Sequence, residues 1–289
     1  MDASEILKRV RKIEIKTKGL SKHIFSGEYH SAFKGRGMSF SEVRDYQYGD
    51  DVRNIDWNVT ARTGDPHIKV YEEDRELTVM LMIDISKSSS FGTVQQFKND
   101  LITEISAIIA FSAITNNDKV GAILFSDQVE KYIPPKKGKK HILRIIREII
   151  YHKPDSPGTQ LSSALRYLNN TQKKRTITFI LSDFGDSDYD SALSIAAKKH
   201  DIIGLHIFDP FEKNLPNLGV IRTKDPETGE SIILDTSSSS VREAHSERFN
   251  TNLEYFDASF NKSRSDHISI STNEDHIKSL LQFFKRRSK

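Results

Sequence analysis

Four nearly continuous apolar runs constrain the fold of this 289-residue chain more than any other feature: LTVMLMID from residue 77, KVGAILFS at 119–126, TITFILSD at 176–183 and DIIGLHIFD at 201–209. Runs of this length and β-branched content suit strands covered on both faces, as in a parallel sheet. Between and around them lie helical spacings over 94–115, 141–151, 161–169 and 189–199. Strands alternating with helices predict an α/β fold, a doubly wound and mostly parallel sheet of Rossmann type with helices on both faces.

The flanks are less regular. Residues 3–19 space Ile6, Leu7, Val10, Ile13 and Ile15 among Lys and Arg, a pattern for a surface helix. From Phe25 to Arg62 the periodicity fades into Gly, Asp, Arg and aromatic residues, predicting ordered irregular structure with short strands. The expected division is thus an N-terminal helix and irregular segment over 1–75, packed on an α/β domain over 76–289. Late in that domain GVIRTKDPETGESIILDTS reads as an inserted β-hairpin near 219–236. A helix from Ser240 to Leu253, EYFDAS as the final strand and a last helix in NEDHIKSLLQFFKRRSK complete the expectation.

Composition excludes several chemistries. Without cysteine there is no disulfide, zinc ribbon, iron–sulfur cluster or thiol nucleophile, so any metal must sit on oxygen or histidine. The ten histidines form no H-E-x-x-H and no pair on one helical face, which disfavours zinc. With 43 Lys and Arg against 40 Asp and Glu, no global field demands nucleic acid or an anionic membrane. The first twenty residues lack the apolar core of a signal peptide, and no apolar run approaches the ~20 residues of a membrane helix. The expectation is a cytoplasmic protein with no membrane insertion. Lys136-Lys137-Gly138-Lys139-Lys140 and Lys285-Arg286-Arg287 read as solvated basic faces, since neither carries aromatic residues to stack on bases. Gly35-Arg36-Gly37 lacks a strand-then-helix context and reads as a turn.

Chemistry concentrates at strand ends. In a doubly wound sheet the carboxyl ends of the strands border the ligand crevice. Asp84 closes the first apolar run and is followed by Ser86 and Ser88; one carboxylate and two hydroxyls at alternating positions can wrap oxygen donors around a hard cation such as Mg²⁺. Thr159, ahead of a helix, and Asp183, closing another apolar run, reach the same crevice by topology. Capping of a strand-to-helix turn also explains an isolated Asp-x-Ser-x-Ser, but not the three-part set in chain order.

That set, Asp84-x-Ser86-x-Ser88, Gly158-Thr159 and Ser182-Asp183, resembles the metal-ion-dependent adhesion site of von Willebrand factor A domains. The resemblance implies that Ser86, Ser88 and Thr159 bind Mg²⁺ (or Mn²⁺ or Ca²⁺) directly. It also implies that Asp84 and Asp183 act largely through water, and that a protein partner's carboxylate completes the shell. A second, wider resemblance runs from Gly27 to the C-terminal helix. It rests on Gly27-Glu28-Tyr29-His30-Ser31, Gly35–Phe40, Arg44-Asp45-Tyr46, Gly49–Trp57, Thr60-Ala61-Arg62, the DPETGE hairpin and the LLQFF helix. This series is similar to the bacterial family called domain of unknown function 58, whose members are often encoded beside MoxR-type AAA+ ATPases. Ser89 stands where many such domains carry Met. The resemblance implies a non-enzymatic, metal-dependent protein-binding module acting as an adaptor for such an ATPase.

Other readings remain open, among them a purely structural protein with an empty site. A Mg²⁺-dependent phosphohydrolase would use Asp84 as nucleophile, but Ser86 stands where a second acid is needed. Asp50, Asp51, Arg53, Asp56 and Arg62 could clamp a phosphate; an ion-pair network pinning the irregular segment, with Trp57 as a buried anchor, explains them more simply.

Overall fold

The computed structural model describes residues 38–73, 77–87, 97–156, 158–224 and 231–287. The expected helix over 3–19, the glycine turn at 35–37 and Ser88 lie outside these residues. The chain divides into two compact units, Phe33–Leu77 and a larger one that takes in everything from Thr78 on.

In the smaller unit β1 (Met38–Asp45) pairs antiparallel with β2 (His67–Glu73), with a register shift between Phe40 and Glu42. A 3₁₀ turn, Val52–Asn54, and a short helix α1, Trp57–Thr63, lie between them. Polar contacts shape this segment. Asp50 takes a two-pronged bond from Arg44 at 2.8 and 2.9 Å, Arg53 pairs with Asp51 at 2.8 Å, and Asp56 caps α1 through the amides of Asn58 and Val59. Asp56 also lies 3.6 Å from Lys69. Each of these three acids is therefore paired within the unit, in separate pairs, and Trp57 is not a buried anchor. The indole is 69% exposed, and Tyr48 and Val52 of the same unit are exposed as well. No residue of α1 is buried, because its ends are fixed by the Asp56 cap and by Gly64 in the left-handed conformation rather than by apolar packing.

The larger unit is built on a six-stranded sheet of order β10-β7-β6-β3-β4-β5. Its strands are β3 (Thr78–Asp84), β4 (Lys119–Phe125), β5 (Val129–Lys136), β6 (Ile177–Ser182), β7 (Asp201–Phe208) and β10 (Asp266–Ser271). All neighbouring pairs are parallel except β4–β5. The central strands are buried on both faces, as their unbroken apolar sequences require. Against the face carrying Met80, Met82, Ile123 and Ile180 lie α4 (Leu161–Thr171), α5 (Asp190–Lys199) and α7 (Ser239–Ser263). On the opposite face are α2 (Lys98–Thr115), α3 (Lys139–Tyr151) and the C-terminal α8 (His276–Arg287), the last placing Phe284 edge-on to Phe179. The fold is a doubly wound α/β sandwich. Helix α2 is buried almost all round, which is why its sequence shows little amphipathic bias.

Three elements depart from expectation. EYFDAS is not the final strand; residues 254–259 continue α7 to Ser263. Phe256 and Phe260, one helical turn apart, bury completely against β7, where a Cβ on Gly204 would stand only 2.5 Å from the Phe260 ring. Helical spacing of two aromatics over a glycine overrides the local strand propensity. The true last strand is β10, which begins just after Arg264 ends α7 in a left-handed conformation. The third element is the edge strand β5. Its sequence, VEKYIPPK, carries two prolines and three charges, which an outer strand tolerates and a central one does not. The hairpin is present as β8 (Val220–Lys224) and β9 (Ser231–Asp235). No helix among the described residues is long and apolar enough to cross a membrane.

Candidate metal centre

Strand order locates the crevice. From β3 the chain winds outward through β4 and β5, returns to β6 on the other side of β3, and winds away through β7 and β10. The switch point is therefore the gap between the carboxyl ends of β3 and β6, where helices diverge to opposite faces and leave a cleft. Asp84 ends β3 and Asp183 follows the last residue of β6.

Asp84 is fully buried, with Oδ1 accepting from the Ser86 amide at 2.9 Å and Oδ2 from the Ser182 hydroxyl at 2.6 Å. Ser182 Oγ in turn accepts from the Phe184 amide, fixing the hydroxyl's direction. Burial pushes the Asp84 carboxyl up to about 6, and the nearby negative charge of Asp183 adds to this, against the hydrogen bonds from Ser182 and Ser86. The structure thus brings Asp84, Ser86 and Asp183 into one cleft.

Thr159 arrives by a different route. It is half-buried in the loop between α3 and α4, and its neighbours anchor that loop to the same sheet edge: the Gln160 amide donates to the Ser126 carbonyl at the end of β4, and the Leu161 amide to Asp186 Oδ2 beyond β6. Further back, the buried carboxylate of Glu130 accepts from Ser126 Oγ at 2.6 Å, from the Asp155 amide at 3.0 Å, and lies 2.9 Å from His152 Nε2. Desolvation opposes ionisation there, but these bonds outweigh it and hold the Glu130 carboxyl below its ordinary range. Asp127 Oδ2 accepts from Ser156 Oγ at 2.5 Å.

The sequence did not disclose the cation already built into this cleft. Lys98, in the first turn of α2 and 1% exposed, donates to Asp183 Oδ2 at 2.8 Å and to Glu212 Oε1 at 2.6 Å. Burial works against its charge, yet the two carboxylates hold the ammonium protonated well above the usual lysine range. Glu212 belongs to the short helix α6 (Pro210–Lys213), where it closes a capping box with Asp209; Asp209 is itself buried and accepts from Thr272 at the end of β10. A polar chain therefore follows the carboxyl edge from β3 to β10. Asp209-Pro-Phe-Glu212 is legible as a capping box in the sequence. Nothing in the sequence marks Lys98, because its partners are 85 and 114 residues away.

The donors fit a hard divalent cation. They are all oxygens, two of them carboxylates close enough to repel, with hydroxyls alongside. Among the described residues no group of three His, Asp or Glu side chains is placed to hold a metal unaided, so a cation here would need hydroxyls and water to complete its shell.

Comparison with known proteins gives the lineage. A family model described as "Protein of unknown function DUF58" matches residues 42–254. An uncharacterized protein of Mycobacterium bovis, Mb1516, is 30% identical over 232 residues, covering 79% of this chain and 73% of that protein. YeaD of Bacillus subtilis, also uncharacterized, is 30% identical over 110 residues, covering 38% of this chain and 25% of that protein. Among solved structures, similarity extends to BatB from Bacteroides thetaiotaomicron (TM-score 0.47, 16% identity, 73% of this chain and 98% of that one). It extends also to the SpRpn10 VWA domain (TM-score 0.39, 15% identity, 71% and 94%). The match over residues 42–254 shows that this chain belongs to the DUF58 family of proteins of unknown function.

Proposed function

We propose that this protein is a non-enzymatic binding module whose cleft takes a divalent cation of the Mg²⁺ class, with Mn²⁺ or Ca²⁺ as substitutes, through Asp84, Ser86, Ser88, Thr159 and Asp183. The observation that carries the reading is the juxtaposition of buried Asp84 with Asp183 at the switch point of the sheet, among hydroxyl donors. Such a cation would supply an electropositive centre able to attract a carboxylate from a partner protein. Asp84 positions Ser86 and Ser182, while Lys98 holds Asp183 and keeps part of the negative charge compensated. A MoxR-type AAA+ ATPase is the partner class that the family resemblance suggests.

Lys98 is the one observation that favours the phosphohydrolase alternative, since such enzymes need a buried ammonium near their nucleophile. Against it, both oxygens of Asp84 already accept hydrogen bonds and Ser86 stands in place of the second acid.

The binding reading is tested by thermal unfolding in millimolar MgCl₂ or MnCl₂. Wild type should gain stability and Asp84→Ala should not; a wild type indifferent to both metals refutes it. Partner capture with the same pair of proteins tests the adaptor role, and turnover of phosphate esters abolished by Asp84→Asn would transfer the case to the enzyme.

A further inference from the structure

Helix α3 reverses an electrostatic arrangement that α5 and α8 respect. Helix α5 begins on Asp190 and ends on Lys198 and Lys199, and α8 ends on Lys285, Arg286 and Arg287, so their charges complement the helix dipole. In α3 there is no acid in the first turn and no base in the last. Its cations stand at the wrong end and along one side. Because Ile142, Ile145, Ile146 and Ile149 turn into the core, Lys140, Arg144 and Arg147 share the outward face at helical spacing, all exposed. Lys136, exposed at the end of edge strand β5, extends the stripe. Glu148, the sole acid of α3, is committed to Lys131 at 2.8 Å.

Residues 131–147 carry seven Lys and Arg and no acid, in a chain of net charge +3, so the remainder is net acidic. The field is felt within the fold: burial, then Arg144 and Lys136, keep the half-buried His141 below its ordinary range. Like charges at this spacing, and cations at a helix N-terminus, each destabilise the free protein. Local rules broken together by Lys140, Arg144 and Arg147 on one exposed face mark a surface kept for a partner.

We propose that the stripe formed by Lys136, Lys140, Arg144 and Arg147 is a docking surface for an acidic segment of a protein partner. Charge complementarity selects an anion, and the setting selects among anions. No aromatic residue interleaves the stripe to stack single-stranded bases; Tyr151 lies at the far end of the helix. The helix is packed along the sheet and cannot enter a duplex groove. A linear stripe without exposed apolar side chains among its cations offers an anionic bilayer little to hold. An extended or helical acidic segment matches a single row of cations. This proposal does not require a cation in the cleft.

The test is fluorescence anisotropy of a labelled poly-glutamate peptide with the full chain at low ionic strength. Saturable binding that weakens with added salt is expected. Arg144→Glu with Arg147→Glu should raise Kd about 10-fold or more, while the same reversal at exposed Lys173 and Lys174 should change it by less than about twofold. Arg144→Gln with Arg147→Gln should fall between wild type and the double reversal. The proposal is overturned by absence of saturable binding, by equal loss in the Lys173 and Lys174 variant, or by tighter binding to poly-uridine RNA or phosphatidylserine vesicles than to poly-glutamate.

Discussion

Lys98 Nζ lies 2.8 Å from Asp183 Oδ2, so an ammonium from α2 is fixed against the carboxylate that follows β6, with Glu212 of α6 as its second partner at 2.6 Å. Removing one member of a buried ion cluster leaves the others desolvated and uncompensated, which typically costs about 3–5 kcal/mol. Lys98→Met should lower stability by that order in urea unfolding, and Lys98→Met combined with Asp183→Asn and Glu212→Gln should recover much of it. A single-variant loss below about 1 kcal/mol would show that the cluster is no more than a surface pair.

Glu130 is the anchor of the loop that leads to Thr159. Substituting it with Ala strips an acceptor from the part-buried Ser126 Oγ, worth about 1–3 kcal/mol when left unsatisfied, and a further one from the exposed Asp155 amide, which water can replace. Glu130→Ala should therefore destabilise the protein and speed amide exchange over residues 152–160 more than in β3 or β6. Uniform acceleration across the sheet would instead indicate global loss.

His200 links stability to pH. Its Nδ1 accepts from the Thr176 amide at 3.2 Å, and burial, reinforced by Lys199 and Arg175, lowers its pKa from 6.5 to about 4. The unfolded chain takes up a proton at this site that the folded one refuses. The stabilising contribution is therefore complete above pH 6.5, falls as pH drops toward about 4, and changes no further below that, at most about 1 kcal/mol per pH unit. His206, also lowered to about 4 chiefly by burial, acts in the same direction. Asp84, raised to about 6, acts in the opposite direction over this window, so the readout is a difference: urea unfolding of wild type and of His200→Asn, which keeps an acceptor but does not titrate, should diverge by about 1 kcal/mol per pH unit between pH 6.5 and about 4.

Gly204 is a steric requirement. A Cβ there would meet Phe260 ring carbons at 2.5 and 2.6 Å and Phe256 at 3.0 Å. Gly204→Ala should cost about 1–3 kcal/mol by overpacking, and Phe260→Leu in the same chain should return part of that loss. Strictly additive losses in the double variant would refute the contact, since coupled neighbours depart from additivity.

The apolar runs, cut at turns and separated by helical spacings, determined β3, β4, β6 and β7 and the helices between them from local sequence, because burial on both faces demands unbroken apolar strands. They also put Asp84 and Asp183 at carboxyl ends, and the strand order brings those ends together at the switch point. Elements whose local signal is weak were not legible in the same way. In β5 and β10 pairing with a neighbour, not composition, makes the strand, and in residues 254–259 two phenylalanines packing over Gly204 make a helix of a strand-like sequence.

The polar network divides along the same line. Short-range partners such as Ser86 on Asp84 follow from chain neighbourhood alone. Lys98, Glu212 and the Glu130 clamp depend on contacts between segments far apart in sequence, and the exposure of Trp57 depends on polar caps rather than apolar packing holding α1. The sequence by itself determined which oxygen atoms could gather at the edge of the sheet. Only the tertiary structure decided that a buried ammonium shares that edge with them, because a charge can be sequestered from water only where distant carboxylates converge on it.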